Sequence, residues 1–502
     1  MRIASECRYL ELDLQIDLPW DETGRYEHSK LYFTLDGSTA FVEQQSVCVH
    51  VQRNAVRDVV QVVLPPEVRA ARRVRFRFDP APLATSGSAT MWRPRLTAGS
   101  PTDERSRIAD LEDLKGRVRR TMADAEAAGA PTVEHLPPTL SMELTVRCNL
   151  TCTHCSSHGT PELHLRHNHT PEMAVETFER LADEVFPSLT AVGLVGRGEP
   201  LLVTDRLWQS LCTKLRQHHA RMTLVTNGTM LERRLTDDVM PLLESVLISF
   251  DGGEADTFAA NRAGTTLDRT LEALATLDQR RRAANLLRRP RIGVTWTLKA
   301  NNVAELPGFV ERAIGLGIDS LTVRHLVVFH AHNHHESVID RPDLVNGPLR
   351  ATYELVARHG IRSDCPPLLT EADEVATPKH VPAAVPVVIT PLRQRDTCMY
   401  VYRTGVVLVD GAVHTCSLPF TELAGTLSPE RSFGEIWHGA VMNMVRRTLD
   451  TPDELYQCTH CWCREGRYLS QRYSYDSDAE AFDLTEPASL NRTAWDFEDY
   501  LQ

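Results

Sequence analysis

The chain has no apolar run long enough to cross a bilayer: no stretch of roughly eighteen apolar residues occurs, and the nearest candidate, Val381 to Ile389, is short and holds two prolines. Its start, Met1 to Gln15, mixes charges with short apolar steps and lacks the apolar centre of a secretory signal. A cytoplasmic protein with no membrane partner is the expectation. Basic excess is absent too: 55 Lys and Arg stand against 67 Asp and Glu, a formal net charge of −12. Phosphate backbones are gripped by basic surfaces, so no nucleic-acid partner is expected. No internal repeat is found.

What is present is ordinary in all but one respect. Hydrophobic residues make up 42% and charged residues 24%, usual for a folded chain. At 502 residues the chain exceeds a single core, so about two to four domains are expected. The exception is its 12 cysteines. A reducing compartment argues against disulfides and for metal ligands.

Residues 1–100 read as a β-rich, sandwich-like domain. Lys30–Thr34, Val47–Val51, Val59–Val63 and Val74–Phe78 are β-branched or alternating runs set apart by turn or polar residues. Residues 101–138 read as a helical connector, because Ala109 to Ala128 is polar, charged and poor in breakers. From Thr139 apolar runs alternate with helical stretches. Met142–Val146, Ala191–Val195, Arg221–Thr226, Val246–Phe250, Ile292–Leu298 and Leu321–Val328 are candidate strands. Pro171–Glu184, Asp205–His218, Leu267–Arg282 and Val303–Gly315 are candidate helices, and Thr170-Pro171 supplies an N-cap signal for the first. The alternation predicts an α/β fold over residues 139–365, its parallel sheet open or curled into a partial (β/α)6, TIM-like barrel. Active sites of such sheets lie at the C-terminal strand ends. Residues 366–395 read as a Pro- and Ala-rich linker. Residues 396–470 are a small cysteine-rich domain that a metal would help hold. Residues 471–502 are an acidic tail with Trp495, Phe497 and Tyr500 as docking anchors.

Cys148, Cys152 and Cys155 follow the first candidate strand in CNLTCTHC. Three thiolates on a short loop can hold three irons of a cubane cluster and leave the fourth open. A zinc knuckle with His154 or His158 as fourth ligand is the alternative, although zinc favours CxxC pairs. This CxxxCxxC after the first strand of a six-strand α/β sheet resembles the radical S-adenosylmethionine superfamily, and the resemblance covers roughly residues 139–330. It implies a [4Fe–4S] cluster whose open iron binds the amino and carboxylate groups of S-adenosylmethionine. It also implies a cofactor-binding set. His154 stands at the usually aromatic position before the third cysteine. Gly196, Gly198, Glu199 and Pro200 lie in GRGEP, which resembles the family's GGEP loop with one glycine replaced by Arg197. Thr226 and Asn227 lie in TNG, Ser249 and Asp251 in SFDG, and Arg262 in NRAG.

A second group comprises Cys398, Cys416, Cys458, Cys461 and Cys463. The CX12GX4C spacing of the first two suits a hairpin turning at Asp410-Gly411, and Cys458 with Cys461 forms a CxxC that could close a four-cysteine site. Cys463 could replace Cys461, and a structural zinc ribbon is the alternative. The group resembles the auxiliary-cluster extensions called SPASM and twitch domains, the shorter twitch form fitting better because no cysteine follows Cys463. That implies a second, auxiliary [4Fe–4S] cluster. Cys7, Cys48 and Cys212 read as buried small residues, and Cys365 is the candidate catalytic residue, as a hydrogen-atom donor.

His325, His330, His332, His334 and His335 crowd the last strand's exit, and His164, His167 and His169 flank the cysteine loop. Substrate-binding histidines on solvated loops, or a separate metal site, are the two readings. Arg324 is a candidate for a cofactor or substrate anion. The resemblance implies an enzyme that makes a 5′-deoxyadenosyl radical and abstracts hydrogen from a substrate C–H bond, with an electron donor such as flavodoxin or ferredoxin. LYFTLDG and VRFRFDP near the N-terminus resemble small β-domains of polysaccharide-assembling enzymes. They favour oxidation or epimerisation of a carbohydrate-like substrate, with a peptide or protein maturase as the alternative.

Overall fold

Leu10, Leu12 and Leu14 alternate with polar residues along the first strand and are buried, so one face of that strand must meet a second layer. A computed structural model supplies that layer. It describes residues 7–17, 29–35, 40–42, 45–49, 54–71, 74–79, 88–92, 94–97, 104–284, 286, 289–369, 398, 400–418, 421–459 and 461. Strands β1 (Tyr9–Asp17), β2 (Ser29–Leu35), β3 (Ser46–Val49), β4 (Asn54–Val63), β5 (Val74–Asp79), β6 (Ser88–Met91) and β7 (Arg95–Thr97) form two sheets. One has the order β4-β1-β6 with β7 also on β1, the other β3-β2-β5. A single buried cluster joins Leu10, Leu12 and Leu14 of one sheet to Leu31, Phe33, Val49 and Val74 of the other, with Val68 of α1 (Pro66–Ala70). The LYFTLDG and VRFRFDP strands are antiparallel neighbours, with Phe33 opposite Phe76.

Helix α2 (Glu104–Ala128) ties this unit to the rest. Near its start Ser106 donates to Gln61 Oε1 at 3.0 Å, and Tyr9 donates to Asp110 at 3.0 Å. At mid-helix the buried Lys115 ammonium donates to His218 O at 2.9 Å and His219 O at 2.6 Å.

Beyond α2 lies one ten-stranded sheet. Its members are β8 (Thr139–Met142), β9 (Ala191–Leu194), β10 (Arg221–Thr226), β11 (Leu243–Phe250), β12 (Arg291–Leu298), β13 (Ser320–His325), β14 (Arg362–Asp364), β15 (Thr404–Val407), β16 (Ala412–His414) and β17 (Leu423–Thr426). The order β14-β13-β12-β11-β10-β9-β8-β15-β16-β17 has two ends and does not close. Strands β8 to β14 run parallel, and β15 runs parallel to β8, as crossover connections require. Helices α3 (Pro161–Asn168), α4 (Val175–Val185), α5 (Asp205–Gln217), α6 (Leu231–Arg234), α7 (Ala255–Asn261), α8 (Leu267–Ala283), α9 (Leu306–Gly315) and α10 (Pro342–Arg358) connect the parallel strands.

Three details depart from expectation. The first sheet strand is Thr139–Met142 instead of Met142–Val146: its partner β9 ends at Leu194, so the residues after Met142 have no ladder neighbour on that side. Thr170 caps no helix. Thr160 does, accepting from Leu163 N at the head of α3 with Pro161 in the first turn, while α4 starts at Val175 without a side-chain cap. The short β14 and the β15–β17 meander extend the six expected strands. Residues 370–397 of the linker and 471–502 of the tail lie outside the described residues. Among the described residues no helix is long and apolar enough to cross a membrane.

Candidate functional site

The residues after β8 leave the sheet as an extended segment into the cysteine loop. Gly198 makes this possible: a Cβ there would sit 2.5 Å from Val146 C and 2.6 Å from Arg147 O, closer than any side chain could come. Glycine is the residue that permits such an approach. Gly196 is tight for a different reason, a Cβ there meeting the Glu143 side chain at 2.7 Å. Arg197 explains that crowding. Its Nε and Nη2 clasp the buried Glu143 carboxylate at 3.0 and 2.6 Å, and its backbone N–H adds a third bond at 2.8 Å. The Gly-to-Arg departure in the GEP loop thus pins that loop to the end of β8.

Glu199 is buried, and its carboxylate is turned to the protein. Oε1 accepts from Thr226 Oγ1 at 2.8 Å and Leu201 N at 3.1 Å, and Oε2 from Asn227 N at 2.7 Å. Burial raises its pKa, and these three donors oppose the rise. The bonds lock Pro200 and its turn against the end of β10. Asn227 then points its amide at the loop, 3.9 Å from Cys148 Sγ and 2.9 Å from Asn149 Oδ1.

At the end of β11, Asp251 is buried against the Arg262 guanidinium. Arg262 Nη1 donates to Asp251 Oδ2 at 2.7 Å, Thr297 N donates to Oδ1 at 2.8 Å, and His154 Nε2 lies 3.5 Å from Oδ2. Ser249, two residues earlier and still within β11, is half-buried. Burial holds His154 neutral, its pKa down at about 4. Lys299, just past β12, is buried as well and donates to Asn261 Oδ1 at 2.5 Å. Asn261 Nδ2 and Asn302 Nδ2 both donate to Asp251 O. Lys299, Asn261 and Asn302 were not singled out by the sequence; the signals were a polar KANN cluster closing an apolar strand for Lys299 and Asn302, and for Asn261 its place beside Arg262 in NRAG.

The three loop thiols are brought together beside this network. Burial pushes Cys148 to about 12 and Cys152 to about 11 and raises Cys155. The buried Arg262 guanidinium opposes the rise at Cys152 and Cys155. Thiols this reluctant to ionise become ligands when positive metal is placed among them. The second group gathers likewise: burial raises Cys416, with Cys461, Cys398 and Cys458 adding to it, and Cys458 is pushed to about 12. The expected hairpin is there, β15 and β16 turning through Gly411 at φ +82°. A buried glutamine, also missed, braces it: Gln457 Oε1 accepts from Thr415 Oγ1 and Glu422 N, holding the residue before Cys458 against the residue before Cys416. Cys463 lies outside the described residues.

No three His, Cys, Asp or Glu side chains among the described residues converge to hold a single ion. Cysteine thiolates are the usual ligands of iron–sulfur clusters, and each cysteine group offers at least three of them, so both fit a cluster as a donor set.

The remaining candidates scatter. Cys365 is buried directly after β14, with Asp364 and Arg324 as charged neighbours, and burial pushes its thiol to about 12. Arg324 pairs with Asp364. His325 is buried, His334 and His335 are peripheral, and His330 and His332 donate to backbone carbonyls of the cysteine loop. Cys212 is buried as expected, Cys7 is partly exposed, and the side chain of Cys48 lies outside the described residues.

Comparison with known proteins gives a consistent picture. Residues 142–286 match the Radical SAM superfamily, and residues 398–462 match an iron–sulfur cluster-binding domain, SPASM. The mycofactocin maturase MftC of Mycolicibacterium smegmatis is 31% identical over 147 residues, 28% of this chain and 34% of the relative. Pre-heme d1 synthase of Dinoroseobacter shibae is 28% identical over 193 residues, 38% and 44% of the two chains. The alignments span about a third to half of these relatives' length. Among solved structures, Streptococcus suis SuiB superposes with a TM-score of 0.48 and 13% identity, covering 66% of this chain and 72% of its own.

Proposed function

We propose that this chain, which carries a radical S-adenosylmethionine domain over residues 142–286 and a SPASM domain over residues 398–462, modifies a peptide or protein substrate by radical chemistry. The cofactors of the two domains are a [4Fe–4S] cluster that binds S-adenosylmethionine, an auxiliary cluster, and S-adenosylmethionine itself. When bound, they supply reductive cleavage to a carbon radical and an acceptor for a further electron.

The protein's own part is to hold, orient and exclude water. Cys148, Cys152 and Cys155 would ligate the first cluster, and Cys398, Cys416, Cys458 and Cys461 the second. Gly196, Gly198 and the Glu199-braced turn would line the cofactor beside Asn227. Asp251, held rigid by Arg262 and Thr297 N, would face it from the end of β11 with Ser249 and His154. Arg262 and Lys299 place positive charge where ligating thiolates carry negative charge. A flavodoxin or ferredoxin is the proposed electron source, and the cytoplasm the proposed compartment.

The peptide reading replaces the carbohydrate preference drawn from LYFTLDG and VRFRFDP, because the relatives reported above include a maturase and neither is named for a sugar substrate. The observation that carries it is the 31% identity over 147 residues to a protein named a maturase. To test it, reduced enzyme and S-adenosylmethionine are incubated with candidate precursor peptides, nucleotide sugars and glycans. Peptide-dependent 5′-deoxyadenosine together with a changed peptide mass is the expected result. Turnover and mass change with a sugar alone would overturn it.

A further inference from the structure

A continuous run of side-chain hydrogen bonds connects the two sides of the cysteine loop's first half. His158 Nε2 lies 2.9 Å from Val146 O, and His158 Nδ1 lies 3.0 Å from His164 Nδ1. His164 Nε2 lies 3.0 Å from Asn168 Nδ2, and Asn168 Oδ1 accepts from Cys148 N at 2.9 Å. The two ends fix every polarity between them. A carbonyl oxygen only accepts, so His158 Nε2 carries the hydrogen and its Nδ1 accepts in the neutral ring. His164 must then donate from Nδ1, which leaves its Nε2 to accept from the Asn168 amide. The Asn168 oxygen faces a backbone N–H that only donates. The polarities close without conflict when both rings are neutral. Burial, which pushes His158 to about 4, favours the same state.

The sequence builds this relay through α3. Thr160 caps the helix, and His164 and Asn168 stand four residues apart on one of its faces. The far half of the loop is held separately. His330 Nε2 donates to Cys155 O at 3.0 Å, while His332 Nε2 and Asn333 Nδ2 reach Thr153 O at 3.1 and 3.0 Å.

We propose that His158, His164 and Asn168 are positioning residues that fix the Cys148 end of the loop for cluster ligation, an inference that rests on the cluster reading of Cys148, Cys152 and Cys155. Groups that orient metal ligands commonly change metal affinity about 10- to 100-fold when removed. The relay also makes a demand that packing alone does not. At position 164 it needs a group that donates on one side and accepts on the other.

The test compares His164→Phe, which keeps ring size and loses both functions, with His164→Gln, whose amide can donate to His158 and accept from Asn168. Asn168→Leu breaks the relay at its other end and serves should His164→Phe fail to fold. The readout is the rate at which a chelator removes the cluster whose EPR signal responds to S-adenosylmethionine, in anaerobic holoenzyme. His164→Phe and Asn168→Leu are expected to lose that signal about tenfold faster than wild type, and His164→Gln to stay close to wild type. Equal loss rates in all four proteins, or a Gln variant as labile as the Phe variant, would overturn the relay while leaving the cluster reading intact. A wild-type protein with no responsive signal would overturn both.

Discussion

Single residues at this site are constrained by what they touch. A Cβ at position 198 collides with main chain that has nowhere to go, so Gly198→Ala is expected to cost about 1–3 kcal/mol through overpacking and backbone shift. It should also weaken S-adenosylmethionine binding at least tenfold by calorimetry of the anaerobic protein. Asp251→Asn leaves the Arg262 guanidinium buried without its carboxylate, and breaking a buried pair in this way costs about 3–5 kcal/mol. A denaturant midpoint equal to wild type would show that the pair is dispensable. The residue motifs were the most legible part of the chain, because CxxxCxxC, GEP and TNG each demand particular atoms at particular spacings. What stayed hidden were groups whose role depends on neighbours far away in sequence. From the end of β12 Asn302 reaches Asp251 O and Lys299 reaches Asn261, and Gln457 meets Thr415 only after the meander folds.

At the scale of elements, local signals were legible when tertiary structure did not compete for them. Five of the six candidate sheet strands coincide closely with β9 to β13, since apolar residues recurring at every second position give each run one buried face. The first slipped by about three residues because strand length is set by the partner: β9 stops where the GEP loop begins. Thr160-Pro161 and Thr170-Pro171 carry the same local signal, and of these two only the first is followed by a helix that starts at once. Thr160→Ala is therefore expected to cost about 1 kcal/mol in unfolding experiments and Thr170→Ala less, the reverse of what the sequence suggested.

Helix α2 provides a pH test. Burial lowers the Lys115 pKa from 10.5 to about 8. Between those values the unfolded chain binds the proton and the folded chain does not, so this residue's contribution to stability rises with pH across that window. The difference in unfolding free energy between wild type and Lys115→Met should shift in favour of wild type from pH 8 to pH 10. A flat difference would refute the lowered pKa.

For the whole molecule, the α/β class was legible from strand–helix alternation, while the continuity of the sheet was not. Periodicity says that a segment is a strand and is silent about its neighbour. Strand β15 pairs with β8 across some 260 residues, placing the second cysteine group on the same sheet as the first. Glu184 of α4 reinforces the join by accepting from Phe433 N and Gly434 N at 3.0 and 2.8 Å.

Two separate cluster sites on one sheet are the central claim, and metal analysis tests it most directly. Iron, acid-labile sulfide and zinc are measured in anaerobically purified protein, in the Cys148/Cys152/Cys155→Ala variant and in the Cys398/Cys416→Ala variant. The account predicts about eight irons and eight sulfides in wild type and about four of each in either variant, four per cubane. Stoichiometric zinc without sulfide in wild type, or loss of all iron from both folded variants, would contradict it.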